Sequence, residues 1–142
     1  MITNERQYRI AQSDIQRFEA ARSAVDAQNL DVHPKLRKAM RAGMESQLQD
    51  LCDEVAEYEA LRDGKVTSLK FDTLVGVPVG LIKARIARGL TQKALAEALH
   101  LKEQQIQRYE ATLYEGASIV RIQQVADVLG VREQVKLDLT KG

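Results

Sequence analysis

From Asn4 to about Gln28 the apolar positions Tyr8, Ala11, Ile15, Phe18 and Val25 fall three or four residues apart, interrupted where Arg22 takes the next expected place. This spacing predicts one amphipathic helix. A turn is expected over Asn29-Leu30-Asp31-Val32-His33. Pro34 then suits the first position of a second helix, where a missing backbone N–H costs nothing. Leu36, Met40, Met44, Leu48, Leu51, Val55 and Tyr58 continue the period until Gly64 ends it. Neither stripe is stable in water, so residues 1–64 are expected to fold as an antiparallel helical hairpin. Two helices make a thin core. The remaining apolar surface is to be closed by the rest of the chain, by a different protein or by a second copy, of which the second copy is preferred.

The period shifts after Gly64. Val66, Ser68 and Lys70 alternate with Thr67, Leu69 and Phe71, and Val135 to Leu139 alternates more cleanly, so short β-ribbon segments are expected at 66–71 and 135–139. Residues 65–77 read as a linker. Gly76-Val77-Pro78-Val79-Gly80 is not a phosphate loop, because no Gly-Lys-Ser/Thr follows and Pro78 removes a donor. Pro78 instead opens a helix carrying Leu81, Ile82 and Ile86, which Gly89 stops.

Thr91 is placed to cap the next helix, which runs along Leu95, Ala96 and Leu99. His100-Leu101-Lys102 interrupts it, and Glu103 to Glu110 forms another short helix with Ile106 and Tyr109 turned inward. Ser118 caps a last helix bearing Ile119, Ile122, Val125, Ala126 and Leu129, closed by Gly130. The chain is therefore expected to be mainly α, with a compact helical domain at 78–131 and a tail at 132–142.

Residues 81–131 resemble the Cro/repressor-type helix-turn-helix family, also called the xenobiotic-response-element class. The resemblance is carried by Leu90-Thr91-Gln92, Leu95-Ala96, Ile106, Tyr109-Glu110 and the closing Ala126-Asp127-Val128-Leu129-Gly130. It implies double-stranded DNA as partner, with the helix 103–110 in the major groove. With Ile106 and Tyr109 inward, Gln104, Gln107 and Arg108 point outward with Gln105 beside them. Gln bonds adenine bidentately and Arg bonds guanine, so these four are the base-reading candidates. Gln92 resembles the family residue whose amide meets a phosphate, and Thr91, Lys93 and Lys102 complete the phosphate-contacting set. Glu103 would repel phosphates unless it accepts from a cytosine amino group or pairs with a cation. Two positions depart from the family: His100 stands where Gly is usual, and Lys102 where a Ser or Thr cap is usual. His tolerates the left-handed turn at some cost.

Charge sharpens the division. Residues 1–64 hold nine Lys/Arg against 12 Asp/Glu, and residues 65–142 hold 12 against eight, so an acidic half is joined to a basic half able to meet phosphates. The single cysteine, Cys52, excludes an intrachain disulfide framework. The start of the chain lacks a cationic segment followed by an apolar core, and no stretch approaches the roughly 18 apolar residues of a membrane span, so a cytoplasmic location is expected. His33 and His100 are far apart in predicted turns. No metal-ligand spacing, nucleophilic triad or cofactor loop is present, so no enzyme, metal or cofactor is expected. The expected function is a homodimeric transcriptional regulator, read as a repressor, on a roughly palindromic operator. The alternative is the antitoxin of a toxin–antitoxin module, binding a protein partner through the N-terminal hairpin and repressing its own operon.

Overall fold

The computed structural model describes residues 1–27 and 32–140. Gln28 and the expected turn residues Asn29, Leu30 and Asp31 lie outside the described residues. The chain divides into two compact units, Met1–Ser68 and Leu69–Gly142, and the division falls within the segment read as a linker.

The first unit holds α1 (Glu5–Ala27) and α2 (Pro34–Arg62). Asn4 opens α1, its side-chain oxygen accepting from the Gln7 N–H at 2.9 Å. His33 does the same for α2, its Nδ1 accepting from the Lys35 N–H at 3.2 Å just ahead of Pro34. The first turns of α1 meet the last turns of α2. The Tyr8 ring stacks on Tyr58 at 5.1 Å, the Arg62 guanidinium lies 5.1 Å from the Tyr8 centroid, and the Tyr8 hydroxyl donates to Glu59 Oε1 at 2.5 Å. That bond to a carboxylate, followed by burial, pushes the Tyr8 hydroxyl pKa up. At the other end Arg41, early in α2, stands 3.6 Å from Asp26, late in α1. The two contacts make the helices antiparallel. The buried side chains of both helices are confined to one end: Tyr8 and Ala11 of α1, Tyr58 and Leu61 of α2. Ile15, Phe18, Val25, Met44, Leu48, Leu51 and Val55 are only half-buried.

The second unit begins with a 3-10 turn at Leu74–Gly76 and continues through α3 (Val77–Ala87), α4 (Gln92–Ala98), α5 (Glu103–Ala111) and α6 (Ile119–Leu129). One apolar core joins the four helices: Leu81, Ile82 and Ile86 from α3, Leu95 and Ala96 from α4, Ile106 from α5, and Val125, Ala126 and Leu129 from α6. Ile82, Leu95, Ile106 and Val125 are fully enclosed. The local signals that start and stop these helices act as their chemistry dictates. Thr91 Oγ1 accepts from the Ala94 N–H at 3.0 Å, and Ser118 Oγ accepts from the Arg121 N–H at 3.1 Å. Gly130 takes φ 62°, which lets Val131 N–H reach back to the Ala126 carbonyl and close α6. Ile119 and Val120, at the start of α6, remain exposed.

The expected β-ribbon is not formed. Among the described residues there is no strand, and both 66–71 and 135–139 are irregular. Phe71 is held elsewhere: its ring lies over the backbone of the 3-10 turn and α3, where a β-carbon on Gly76 or Gly80 would stand 2.6 or 2.5 Å from the ring. In the tail, Asp138 accepts from both the hydroxyl and the N–H of Thr140, a local turn that lowers the Asp138 pKa. Val135, Leu137 and Leu139 are exposed. Alternation without a third strand or a packing surface does not stabilise a ribbon. No helix among the described residues is long and apolar enough to cross a membrane.

Ile106 joins α5 to the core with no exposed surface. Ile106→Ala is expected to cost about 2–5 kcal/mol through lost burial and the cavity left behind. Equilibrium urea unfolding checks it as a lower midpoint with an unchanged slope.

Candidate nucleic-acid interface

The site is built on the turn between α4 and α5. Leu99 ends α4, and His100 takes φ 56°, the left-handed conformation that sequence reasoning required of it. This allows the Leu101 N–H to bond the Ala96 carbonyl at 2.8 Å and the His100 N–H to bond the Glu97 carbonyl at 3.1 Å, the pattern that usually places Gly at this position. Lys102 then returns to extended backbone as the N-cap of α5. Its own side chain cannot accept from the helix amides. Gln105 supplies the local bond instead, its Oε1 accepting from the Lys102 N–H at 2.9 Å. Ala96 is almost fully buried. A small side chain there allows the close approach of α4 and α5, and Ile106 fills the space between them.

This packing decides which side of α5 faces out. Gln104, Gln105, Gln107 and Arg108 are all exposed, as are Lys102 and Glu103, whereas Ile106 and Glu110 are buried and Tyr109 is half-buried. The four base-reading candidates therefore share the solvent side of one short helix. Gln107 and Arg108 each lie three or four residues from both Gln104 and Ala111 along its outer edge, and Gln105 stands to one side with its oxygen used at the cap. The Gln107 amide donates to Glu103 Oε1 at 3.2 Å, which orients both side chains on that face.

The four phosphate candidates are not equivalent. Thr91, Lys93 and Lys102 are exposed. Gln92 is 7% exposed, and its Nε2 donates to Glu110 Oε2 at 2.7 Å. It lies inside a polar cluster that sequence reasoning missed. Arg85 of α3, only 3% exposed, meets the Glu110 carboxylate through two bonds, Nε to Oε1 at 2.5 Å and Nη2 to Oε2 at 2.8 Å. Its Nη1 donates to the Leu90 carbonyl at 2.8 Å. A buried carboxylate thus receives three donors, and a buried guanidinium is met by a carboxylate and a carbonyl in the fork geometry that suits it. The cluster ties α3, the start of α4 and the end of α5 to one point. A signal was present: Arg85 interrupts the apolar stripe Leu81, Ile82 and Ile86, and a charge on a core-facing position requires a buried counter-charge.

Behind α5, Leu113 and Tyr114 both adopt positive φ, 51° and 58°. Their conformation turns the chain back so that the Tyr114 ring stacks on Tyr109 at 5.3 Å with an interplanar angle of 4°. Tyr114 is buried, and burial foremost, with the Glu110 charge nearby, pushes its pKa up. It acts as packing for the inner side of α5.

Residues 81–135 match the family model described as Helix-turn-helix, of the Cro/repressor type, and the match supports a DNA-binding helix-turn-helix regulator. No curated protein and no solved structure matches the chain.

Removing one member of the buried pair leaves the other charge uncompensated. Glu110→Ala is expected to cost roughly 3–5 kcal/mol, while the paired exchange Arg85→Met with Glu110→Leu costs far less. Chemical denaturation of the two variants checks the difference. At the turn, His100→Gly is expected to raise stability by up to about 1 kcal/mol by relieving the left-handed strain, read as a higher melting temperature.

Proposed function

We propose that this protein, whose residues 81–135 form a helix-turn-helix of the Cro/repressor type, is a sequence-specific transcriptional repressor that reads the major groove with α5. The observation that carries the reading is the exposed face of Gln104, Gln107 and Arg108, with Gln105 at its side, on a helix held rigid by Ile106 and the Arg85–Glu110 pair. Such a face offers amide and guanidinium groups in the geometry that adenine and guanine edges accept. Lys93 and Lys102, with the Thr91 hydroxyl, supply phosphate contacts that set position and most of the affinity. Gln92 serves the interface from inside, by fixing Glu110. The protein works as a cytoplasmic homodimer on a roughly palindromic site, two α5 helices entering successive grooves about one helical turn apart. It needs no cofactor and catalyses no reaction.

A second reading is favoured by the first unit, where most of the apolar stripe is only half-buried. An antitoxin uses the same α5 face to repress its own operon and covers that stripe with its toxin. A small unrelated protein, encoded by the adjacent reading frame and co-purifying in fixed stoichiometry, identifies this case.

Fluorescence anisotropy on the duplex upstream of the gene, against scrambled DNA, tests the DNA reading. Preference for the upstream duplex that persists at physiological salt supports it. Equal weak binding to both removes self-regulation. Arg108→Ala is expected to lose about 1–3 kcal/mol of discrimination, whereas Lys102→Ala weakens binding to all sequences alike and lowers the salt slope by about one. An unchanged competition profile for Arg108→Ala shows that α5 does not read bases through that residue.

A further inference from the structure

The exposed residues Gln104, Gln105, Gln107 and Arg108 of α5 divide into two kinds, by direction and by bonding. Each residue turns an α-helix by about 100°, so Gln104 and Arg108 both stand about 160° round α5 from the enclosed Ile106, whereas Gln105 and Gln107 stand about 100° from it on opposite flanks. Gln104 and Arg108 are neighbours on the outermost side, four residues and about 6 Å apart along the axis. Among the described residues neither of their side chains enters a hydrogen bond or an ion pair, so the Gln104 amide and the Arg108 guanidinium keep their donors and acceptors for a ligand.

The two flanking amides are committed within the helix. Gln105 Oε1 accepts from the Lys102 N–H at 2.9 Å, which turns that amide back to the start of α5. An adenine edge needs an amide oxygen and an amide N–H together, and the Gln105 oxygen is already in use. Gln107 Nε2 donates to Glu103 Oε1 at 3.2 Å. Glu103 has no ion pair among the described residues, so Gln107 is the side chain that answers its carboxylate. A carboxylate carried between phosphates is repelled by them, and giving up its hydrogen bond there costs more than in water.

We propose that Gln104 and Arg108 carry the base discrimination of α5, taking an adenine and a guanine about two base pairs apart, and that Gln105 and Gln107 are positioning residues. The separation follows from about 6 Å along the helix set against base-pair steps of about 3.4 Å when α5 lies along the groove. Gln104 donates to adenine N7 and accepts from N6, and Arg108 donates to guanine N7 and O6. Gln105 holds the first turn, which carries Gln104, and Gln107 shields Glu103 as α5 enters between the phosphates. The proposal rests on the reading of DNA by α5 given above and narrows it to a short adenine and guanine core in each half-site.

Selection of bound duplexes from a randomised library by the full chain and its variants tests it, with fluorescence anisotropy for affinity and far-UV circular dichroism to confirm that each variant keeps its helices. Gln104→Ala is expected to lose the adenine preference and Arg108→Ala the guanine preference, each by about tenfold, with the other preference kept. Gln105→Ala and Gln107→Ala are expected to keep both preferences and to weaken binding to selected and scrambled duplexes in equal proportion. Glu103→Gln added to Gln107→Ala restores the affinity, because no bare carboxylate then faces the phosphates. In Gln105→Ala the Lys102 amide exchanges its hydrogen faster than in the wild type. A wild-type chain that enriches no sequence overturns the reading of DNA by α5 and this division with it. An enriched site whose base profile changes with Gln105→Ala or Gln107→Ala, or survives Gln104→Ala or Arg108→Ala, overturns the division and leaves the DNA reading standing. Failure of Glu103→Gln to restore the affinity of Gln107→Ala, or unchanged exchange at Lys102, overturns the positioning role of the residue concerned.

Discussion

The buried contact between Arg85 and Glu110 holds the second unit in its working shape, because it joins helices that are 25 residues apart at the two charged positions. Apolar packing alone brings α3, α4 and α5 together but tolerates small rotations, since dispersion and burial are not directional. A guanidinium facing a carboxylate through two short bonds is directional. Rotating α5 enough to break it would strand charge in an interior that solvates it poorly. Gln92 and the Leu90 carbonyl share the same donors and acceptors, so the start of α4 is fixed by the same constraint. The outward direction of Gln104, Gln107 and Arg108 follows from this one inward commitment of Glu110.

Backbone conformation supplies the second constraint. His100, Leu113 and Tyr114 all lie in the left-handed region without being glycine, and they bracket α5 on both sides. Each costs conformational energy that a glycine would avoid. The return at the second bend is visible: it places the Tyr114 ring flat against Tyr109. At the first bend, it brings Lys102 into extended backbone at the start of α5, where its side chain is exposed. The short helix that faces outward is thus pinned at its start, at its end and on its inner face.

The first unit shows the opposite case. Its apolar stripe is as long as the helices, but the buried side chains occupy one end only. Two helices enclose little volume, and stripes of this length are ordinarily closed by further helices.

Much of this architecture was legible in the sequence, for a local reason. Helical periodicity, the caps Thr91 and Ser118, Pro34 and the stop at Gly130 act between residues a few positions apart, so their consequences were readable without knowing the fold. The exposed side of α5 followed once Ile106 was assigned to the core. Alternation misled at 66–71 and 135–139, because a strand needs a partner and a surface, and the pattern specifies neither. Phe71 found its surface on α3, and Asp138 satisfied its own neighbours. Gln92 reads in the sequence as a surface residue at a helix start, and only the fold buries it against Glu110. By itself the sequence determined where helices begin and end and which of their faces are apolar, since those depend on short-range bonding and periodicity. Only the tertiary structure decided which distant charges meet inside, because that depends on how the packed helices bring residues together across the chain.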